Sequence, residues 1–194
     1  SSPAIGVMKH PALDNFVNGS AAPGDLRRLD VISPLDGSLL STVPLSTPAE
    51  LESAVTAASE AQPAWAGLTQ RERSQFFFTY RRLLSSHMEE LAELIHQENG
   101  KTLPEARAEI DKAIELTEFA CSLPQLTGGE ALEVSRGFYC SQQLEPLGVV
   151  ASITPFNFPC MVPHWTIPVA LALGNAMILK PSEQVPLSAG RTAE

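Results

Sequence analysis

The chain has 194 residues, of which 44% are hydrophobic, 18% charged and 6% aromatic, and it carries a formal net charge of −9. That length supports one ordinary domain or part of a larger one, with a buried core. The acidic balance excludes the clustered cations on which nucleic-acid affinity rests. No apolar run reaches the roughly 18 residues of a membrane-spanning helix, which excludes a membrane partner of that kind. Cys121, Cys140 and Cys160 fit no metal-ligand spacing and leave one thiol over. That usage points to a reducing compartment, the cytoplasm, and to no bound metal.

Residues 1–15 read as a leader, loose over Ser1 to Lys9, without the basic and then apolar pattern of a secretion signal. Leu29 to Ile32 alternates, Asp36-Gly37 is a hairpin turn, and Leu39 to Val43 is the return strand. Four Ser/Thr-x-x-Glu capping boxes follow, and each predicts a helix start because hydroxyl and carboxylate satisfy free N–H groups reciprocally. They are Thr47/Glu50, Thr69/Glu72, Ser86/Glu89 and Thr102/Glu105. The expected inward stripes are Leu51, Val55 and Ala58; then Phe76, Phe77, Tyr80, Leu83 and Leu84; then Leu91, Leu94 and Ile95; then Ala106, Ile110, Ala113, Ile114 and Thr117. Asn99-Gly100 closes the third helix. His87 and His96 read as solvated, and the Phe76–Tyr80 aromatics as packing rather than cofactor contacts.

After Gly128-Gly129 the period shortens to 2, and Leu132–Val134 and Tyr139–Leu144 read as two antiparallel strands that protrude as an arm. Leu147 to Ile153 is a continuous apolar run, expected to be a strand buried on both faces of a parallel sheet. A helix over Cys160 to Gly174 and a strand over Ala176 to Leu179 complete a β-α-β unit, the building block of a doubly wound nucleotide-binding sheet. From Pro186 the pattern opens a further helix that lacks a stop before Glu194, so the chain reads as cut within an element.

The crossover contains neither G-x-G-x-x-G nor G-x-x-x-x-G-K-[ST]. In their place stands Thr154-Pro155-Phe156-Asn157-Phe158-Pro159, at the strand end where open α/β sheets bind ligands. Its two prolines stiffen the turn. Asn157 then either aims its amide at a developing oxyanion or closes the turn through its own backbone. Lys180 and Glu183, past the second strand, either meet the ribose of a nucleotide or form an exposed turn that caps the next helix. A carboxylate there repels a 2′-phosphate, which favours NAD over NADP. Cys160 lies at a helix N-terminus, where thiol pKa values fall, but it has no His partner in a recognisable motif and reads as a small core residue.

These segments, together with Gly174-Asn175-Ala176, Glu98-Asn99-Gly100-Lys101-Thr102-Leu103-Pro104-Glu105-Ala106 and Phe16-Val17-Asn18-Gly19, resemble the aldehyde dehydrogenase superfamily over nearly the whole chain. Within it, Phe156, Met161, Pro163 and Trp165 resemble the CoA-acylating methylmalonate-semialdehyde dehydrogenases. The resemblance implies an α/β fold: part of a doubly wound NAD-binding domain with a helical layer over 16–130, arm strands for oligomerisation over 131–146, and the first β-α-β unit over 147–194. The catalytic domain and its nucleophilic cysteine are expected downstream, and none of the three cysteines here matches that nucleophile.

The resemblance further implies NAD-dependent oxidation of an aldehyde or semialdehyde through a cysteine thioester, released to water or to CoA, in a homodimer or homotetramer. By the same resemblance Asn157 holds the oxyanion. Thr154 and Phe156 line the nicotinamide-ribose side, and Lys180 and Glu183 bind the adenosine ribose, with Ser182 between them. Gln184 stands where the subgroup has arginine, and Lys112 falls near an arginine that meets the substrate carboxylate. Lysine does not reproduce the bidentate guanidinium. The rival reading is a non-catalytic nucleotide-binding or interaction module.

Overall fold

A computed structural model describes residues 7–194. The described elements run β1 (Asn15–Val17), β2 (Ser20–Ala22), β3 (Arg28–Ile32), β4 (Leu39–Pro44), α1 (Pro48–Ala66), α2 (Gln70–Ser86), α3 (Met88–Asn99), α4 (Leu103–Leu126), β5 (Glu130–Ser135), β6 (Phe138–Gln142), β7 (Val149–Ile153), α5 (Met161–Ala172), β8 (Ala176–Lys180) and α6 (Leu187–Ala193). β1–β2, β3–β4 and β5–β6 are antiparallel pairs, and β7–β8 is parallel with Val149 opposite Ala176 and Ile153 opposite Lys180. The leader expected over 1–15 lies outside the described residues for 1–6. Its described part is not loose: the N–H groups of Lys9, His10 and Leu13 donate to carbonyls of β4, and Leu13 packs beside Val31, Leu40 and Leu187.

Three of the four capping boxes form, at Thr47/Glu50, Thr69/Glu72 and Thr102/Glu105. The box expected at Ser86/Glu89 does not. Ser86 is the last residue of α2 and its hydroxyl donates back to the Leu83 carbonyl. Glu89 instead takes two hydrogen bonds from Arg107 on α4. Only His87 separates the two helices, so no residue is free to adopt an extended cap. Gly100 ends α3 at φ 82°, a left-handed conformation that glycine adopts without a Cβ penalty.

The main core gathers Leu84, Leu91, Ala92, Ile95, Ala106, Ile110, Ala113 and Ile114 from α2, α3 and α4, with Cys160 just before α5. The stripes of α3 and α4 therefore face inward as expected, apart from Leu94, which packs on the β3–β4 cluster. Two stripes need correction. In α2 Phe77 and Leu84 are buried, whereas Phe76 and Leu83 are exposed, Phe76 meeting Trp65 edge to face. In α1 Leu51 and Val55 are exposed. The face turned towards β8 is instead Ala54, Ala57, Ala58, Ala61 and Trp65, which border a hollow of about 410 Å³ with Met177 and Ile178. Small residues let that helix approach the sheet, so α1 follows an alanine seam rather than its larger side chains. His96 is likewise half-buried, with Nδ1 bonded to the Lys101 carbonyl.

The Gly174-Asn175 pair fixes the β-α-β unit. Asn175 accepts from the N–H groups of Leu147 and Gly148 and donates to the Ala170 carbonyl, at 2.8, 3.1 and 3.0 Å. Gly174 has φ 92°, and a Cβ there would lie 3.3 Å from the buried Arg73 guanidinium carbon. The expectation that Leu147–Ile153 is buried on both faces is corrected: β7 is half-buried to exposed along its length, with Ile153 80% exposed. Among the described residues β7 has a strand neighbour on one side only. The β5–β6 hairpin is exposed at every residue.

Candidate functional site

Both parallel strands end at one edge, and the loops that follow them adjoin there. The Thr154 N–H donates to the Lys180 carbonyl at 3.1 Å, which ties the turn after β7 to the end of β8. Thr154 is buried, whereas Phe156, Asn157 and Phe158 are exposed between Pro155 and Pro159. Among the described residues the Asn157 side chain makes no hydrogen bond, so the turn is not closed by that amide.

Other side chains hold the turn instead, and the sequence reading did not single them out for this. Asn99 Nδ2 donates to the Phe156 carbonyl at 2.8 Å. Lys101 Nζ donates to the Asn157 carbonyl at 2.7 Å and sits 3.9 Å from the Phe158 ring centroid. The same ammonium pairs with Glu109, whose side chain is 1% exposed. Glu109 Oε1 in turn accepts from the N–H groups of Cys160 and Met161, at 2.7 and 3.1 Å, where α5 begins. A carboxylate suits a helix N-terminus, where free N–H groups and the helix dipole favour negative charge. Face arithmetic held a signal for Glu109: it lies three residues after Ala106 and four before Ala113, on the stripe expected to be buried.

The loop after β8 is held from below. Ser182 is buried, and its Oγ accepts from the Gln184 N–H at 3.3 Å. Glu98, also buried, accepts from the N–H groups of Leu187 and Ser188 and from the Ser188 hydroxyl, at 2.6, 3.0 and 2.5 Å. Burial raises the Glu98 carboxyl from 4.5 to about 7 against those hydrogen bonds, with nearby Glu109 adding to the rise. Glu98 therefore takes the helix-capping role that one reading gave to the Lys180–Glu183 turn. Glu98 lies three residues after Ile95, again on an inward stripe.

Above this anchor Lys180 and Glu183 are both more than half exposed and pair with each other at 3.0 Å. A hydrogen bond from its own backbone, then Lys180, holds Glu183 below the usual carboxylate value. Gln184 is exposed beside them. An ammonium donor and an ionised acceptor at a strand end match the hydroxyls of a ribose. Lys112 lies elsewhere, exposed on α4 and paired with Glu115 at 2.8 Å.

Cys160 is 1% exposed in the main core. His164 Nδ1 lies 3.8 Å from its sulfur but bonds the Cys160 carbonyl at 2.7 Å, and its Nε2 shares a 2.7 Å hydrogen bond with the Tyr80 hydroxyl. Burial pushes the thiol up and the imidazole down to about 4. A buried neutral thiol beside a neutral imidazole is a packing element, not a nucleophile. Among the described residues no group of three or more His, Cys, Asp or Glu could hold a metal ion, and no helix is long and apolar enough to cross a membrane.

Comparison with known proteins gives this arrangement a context. The sequence pattern of the aldehyde dehydrogenase family matches residues 21–194. Malonate-semialdehyde dehydrogenase 2 of Geobacillus thermodenitrificans is 43% identical over 184 residues, covering 94% of this chain and 38% of the relative. Among solved structures, a protein described as a methylmalonate-semialdehyde dehydrogenase from Sinorhizobium meliloti, complexed with NAD, superposes with a TM-score of 0.93. It is 38% identical, and the match covers 96% of this chain and 38% of that one. An NADP-dependent enzyme of E. coli superposes with a TM-score of 0.90 at 33% identity, covering 94% and 38%. The chain thus spans about 38% of the length of these relatives and has the mixed α/β fold of that portion. By the match over residues 21–194, the chain belongs to the aldehyde dehydrogenase family.

Proposed function

We propose that the protein to which this chain belongs oxidises an aldehyde, specifically a semialdehyde of the malonate or methylmalonate type, with NAD as acceptor. The observation that carries this reading is the Asn157 turn. Its backbone is gripped on both sides, while the amide itself stands exposed and without a partner among the described residues. A donor held in place before the reaction stabilises charge that develops in the transition state, because little reorganisation remains to be done. In this role the Asn157 Nδ2–H donates to the oxygen of an aldehyde under attack by a thiolate. None of Cys121, Cys140 and Cys160 is assigned as that thiolate.

The residues present fit NAD at the edge beside this turn. Lys180 and Glu183 offer a donor and an acceptor to the adenosine ribose, with Ser182 holding their loop and Gln184 next to them. Thr154 and Phe156 border the nicotinamide-ribose side. When bound, NAD supplies the hydride acceptor. One structural relative is described as NADP-dependent, so the fold alone does not dictate the choice. The Glu183 carboxylate favours NAD by repelling a 2′-phosphate.

The semialdehyde substrate rests on the relatives named for malonate and methylmalonate semialdehydes. Release of the thioester to CoA rests on the subgroup resemblance, and product assays with and without CoA separate it from hydrolysis. The exposed apolar residues Leu132, Val134, Phe138 and Tyr139 of the β5–β6 arm support assembly with further copies of the chain. Free thiols at Cys121, Cys140 and Cys160 support a reducing, cytoplasmic location.

The central test is Asn157→Ala in the complete enzyme. The expected loss in kcat is about 10²- to 10³-fold, as for removal of one oxyanion donor. Near-wild-type turnover sinks the assignment.

A further inference from the structure

The junction between α3 and α4 touches the proposed oxyanion turn at consecutive residues. Asn99 holds the Phe156 carbonyl, and Lys101 holds the Asn157 carbonyl and faces the Phe158 ring. Lys101 is itself fixed, because its ammonium pairs with the buried Glu109 carboxylate that binds the first N–H groups of α5. One ammonium thus joins three bodies: the α4 face through Glu109, the start of α5 through the same carboxylate, and the backbone of the turn. Gly100, between the two gripping residues, has φ 82° and a prospective Cβ contact of 3.1 Å with Pro34, so the junction is sterically set as well.

We infer that Lys101 is a positioning residue for the Asn157 amide, aiming it by holding the carbonyl of the same residue. The position of a side chain follows the peptide planes on either side of its Cα. A grip on that carbonyl therefore fixes the Cα–Cβ direction and narrows the positions the amide can reach, while leaving both of its N–H groups for a ligand. Lysine suits the place because a compact ammonium with three donors can serve a carboxylate and a carbonyl at once. The inference rests on Asn157 as the oxyanion donor.

The test is a double-mutant cycle in the complete enzyme, with kcat counted per NAD-binding site and melting temperature followed in parallel. Lys101→Met alone strands the buried Glu109 charge and risks the fold. The working variant is therefore Lys101→Met with Glu109→Gln, which removes both charges and keeps an acceptor for the Cys160 N–H. The pair is expected to lower kcat per site by about 10- to 100-fold, the size expected from a small misplacement of a reacting group. The KM for NAD should stay within about twofold, and Lys101→Arg should recover part of the loss. In an Asn157→Ala background the same pair should lower kcat by less than about twofold more, because the amide it aims is already gone. Unchanged kcat per site in the pair, with only a lower melting temperature, would mean a structural role and overturn the inference. A full loss repeated in the Asn157→Ala background would also overturn it, while leaving the oxyanion reading in place. Wild-type turnover of Asn157→Ala alone would remove both.

Discussion

Two loops leave the same edge of the β7–β8 pair, and they are built in opposite ways. The turn at 154–159 is clamped at its backbone by Asn99 and Lys101, with Glu109 holding Lys101 and the start of α5 just beyond, and its Asn157 side chain has no partner among the described residues. The loop at 180–186 is anchored beneath, through Ser182 and Glu98, and its exposed Lys180 and Glu183 side chains occupy each other. The difference follows the proposed tasks. A group that meets charge only in a transition state must be aimed beforehand, whereas a ribose can be gripped by side chains that exchange one partner for another. An exposed ion pair suits such exchange, because it holds little free energy, about 0–1 kcal/mol.

The sharpest way to break this contrast is to remove the clamp. Glu109→Ala leaves the Lys101 ammonium without its carboxylate partner and the N–H groups of Cys160 and Met161 without their acceptor. The expected cost is about 3–5 kcal/mol of stability, as for one partner removed from a buried ion pair, read from chemical denaturation. A loss below about 1 kcal/mol, typical of surface pairs, would show the clamp to be no stronger than Lys180–Glu183.

The anchor beneath the second loop has a pH signature. Glu98 titrates at about 7 in the fold against 4.5 ordinarily, so the folded chain holds the proton more tightly. Its contribution is complete below pH 4.5 and fades as pH rises through 7. His164 runs the other way: its value falls from 6.5 to about 4, so its contribution is complete above pH 6.5 and fades as pH falls towards 4. The two slopes oppose each other between pH 4.5 and 6.5. Glu98→Gln should unmask the histidine and steepen the rise of stability with pH in that window by up to about 1.4 kcal/mol per pH unit. Melting temperatures across the window check this, and an unaltered slope would mean that Glu98 does not titrate there.

Glu183→Gln should produce the smallest structural change and a specific functional one. Stability should shift by no more than about 1 kcal/mol, as for an exposed pair. Discrimination between NAD and NADP should relax by about 10-fold, or about 1.4 kcal/mol. Direct titration with both dinucleotides decides it, and an unchanged ratio would take the ribose role from Glu183.

Much of this arrangement was legible in the chain. The β3–β4 hairpin, three capping boxes, the inward stripes of α3 and α4, and the β-α-β unit are written in local pattern. The Ser86/Glu89 box and the α1 stripe were not, because each local preference lost to a partner distant in sequence. Arg107 took the Glu89 carboxylate, and the sheet took the small-residue face of α1. The loop residues around Asn157 and Glu183 were visible from their place after two strands, but the residues that hold them were not.

By itself the sequence determined most of the helices and strands, though not the β1–β2 pair, and placed Asn157, Lys180 and Glu183 just after the two parallel strands. Those properties depend on periodicity and on residues a few positions apart. Tertiary structure alone decided that Lys101 meets Asn157 across 56 residues and that Glu98 meets Ser188 across 90. No local pattern encodes such pairings. The carboxylates Glu98 on α3 and Glu109 on α4 face inward and reach buried N–H groups at the starts of α6 and α5, which must find an acceptor once water is excluded, and Glu109 in turn holds the Lys101 ammonium that meets Asn157.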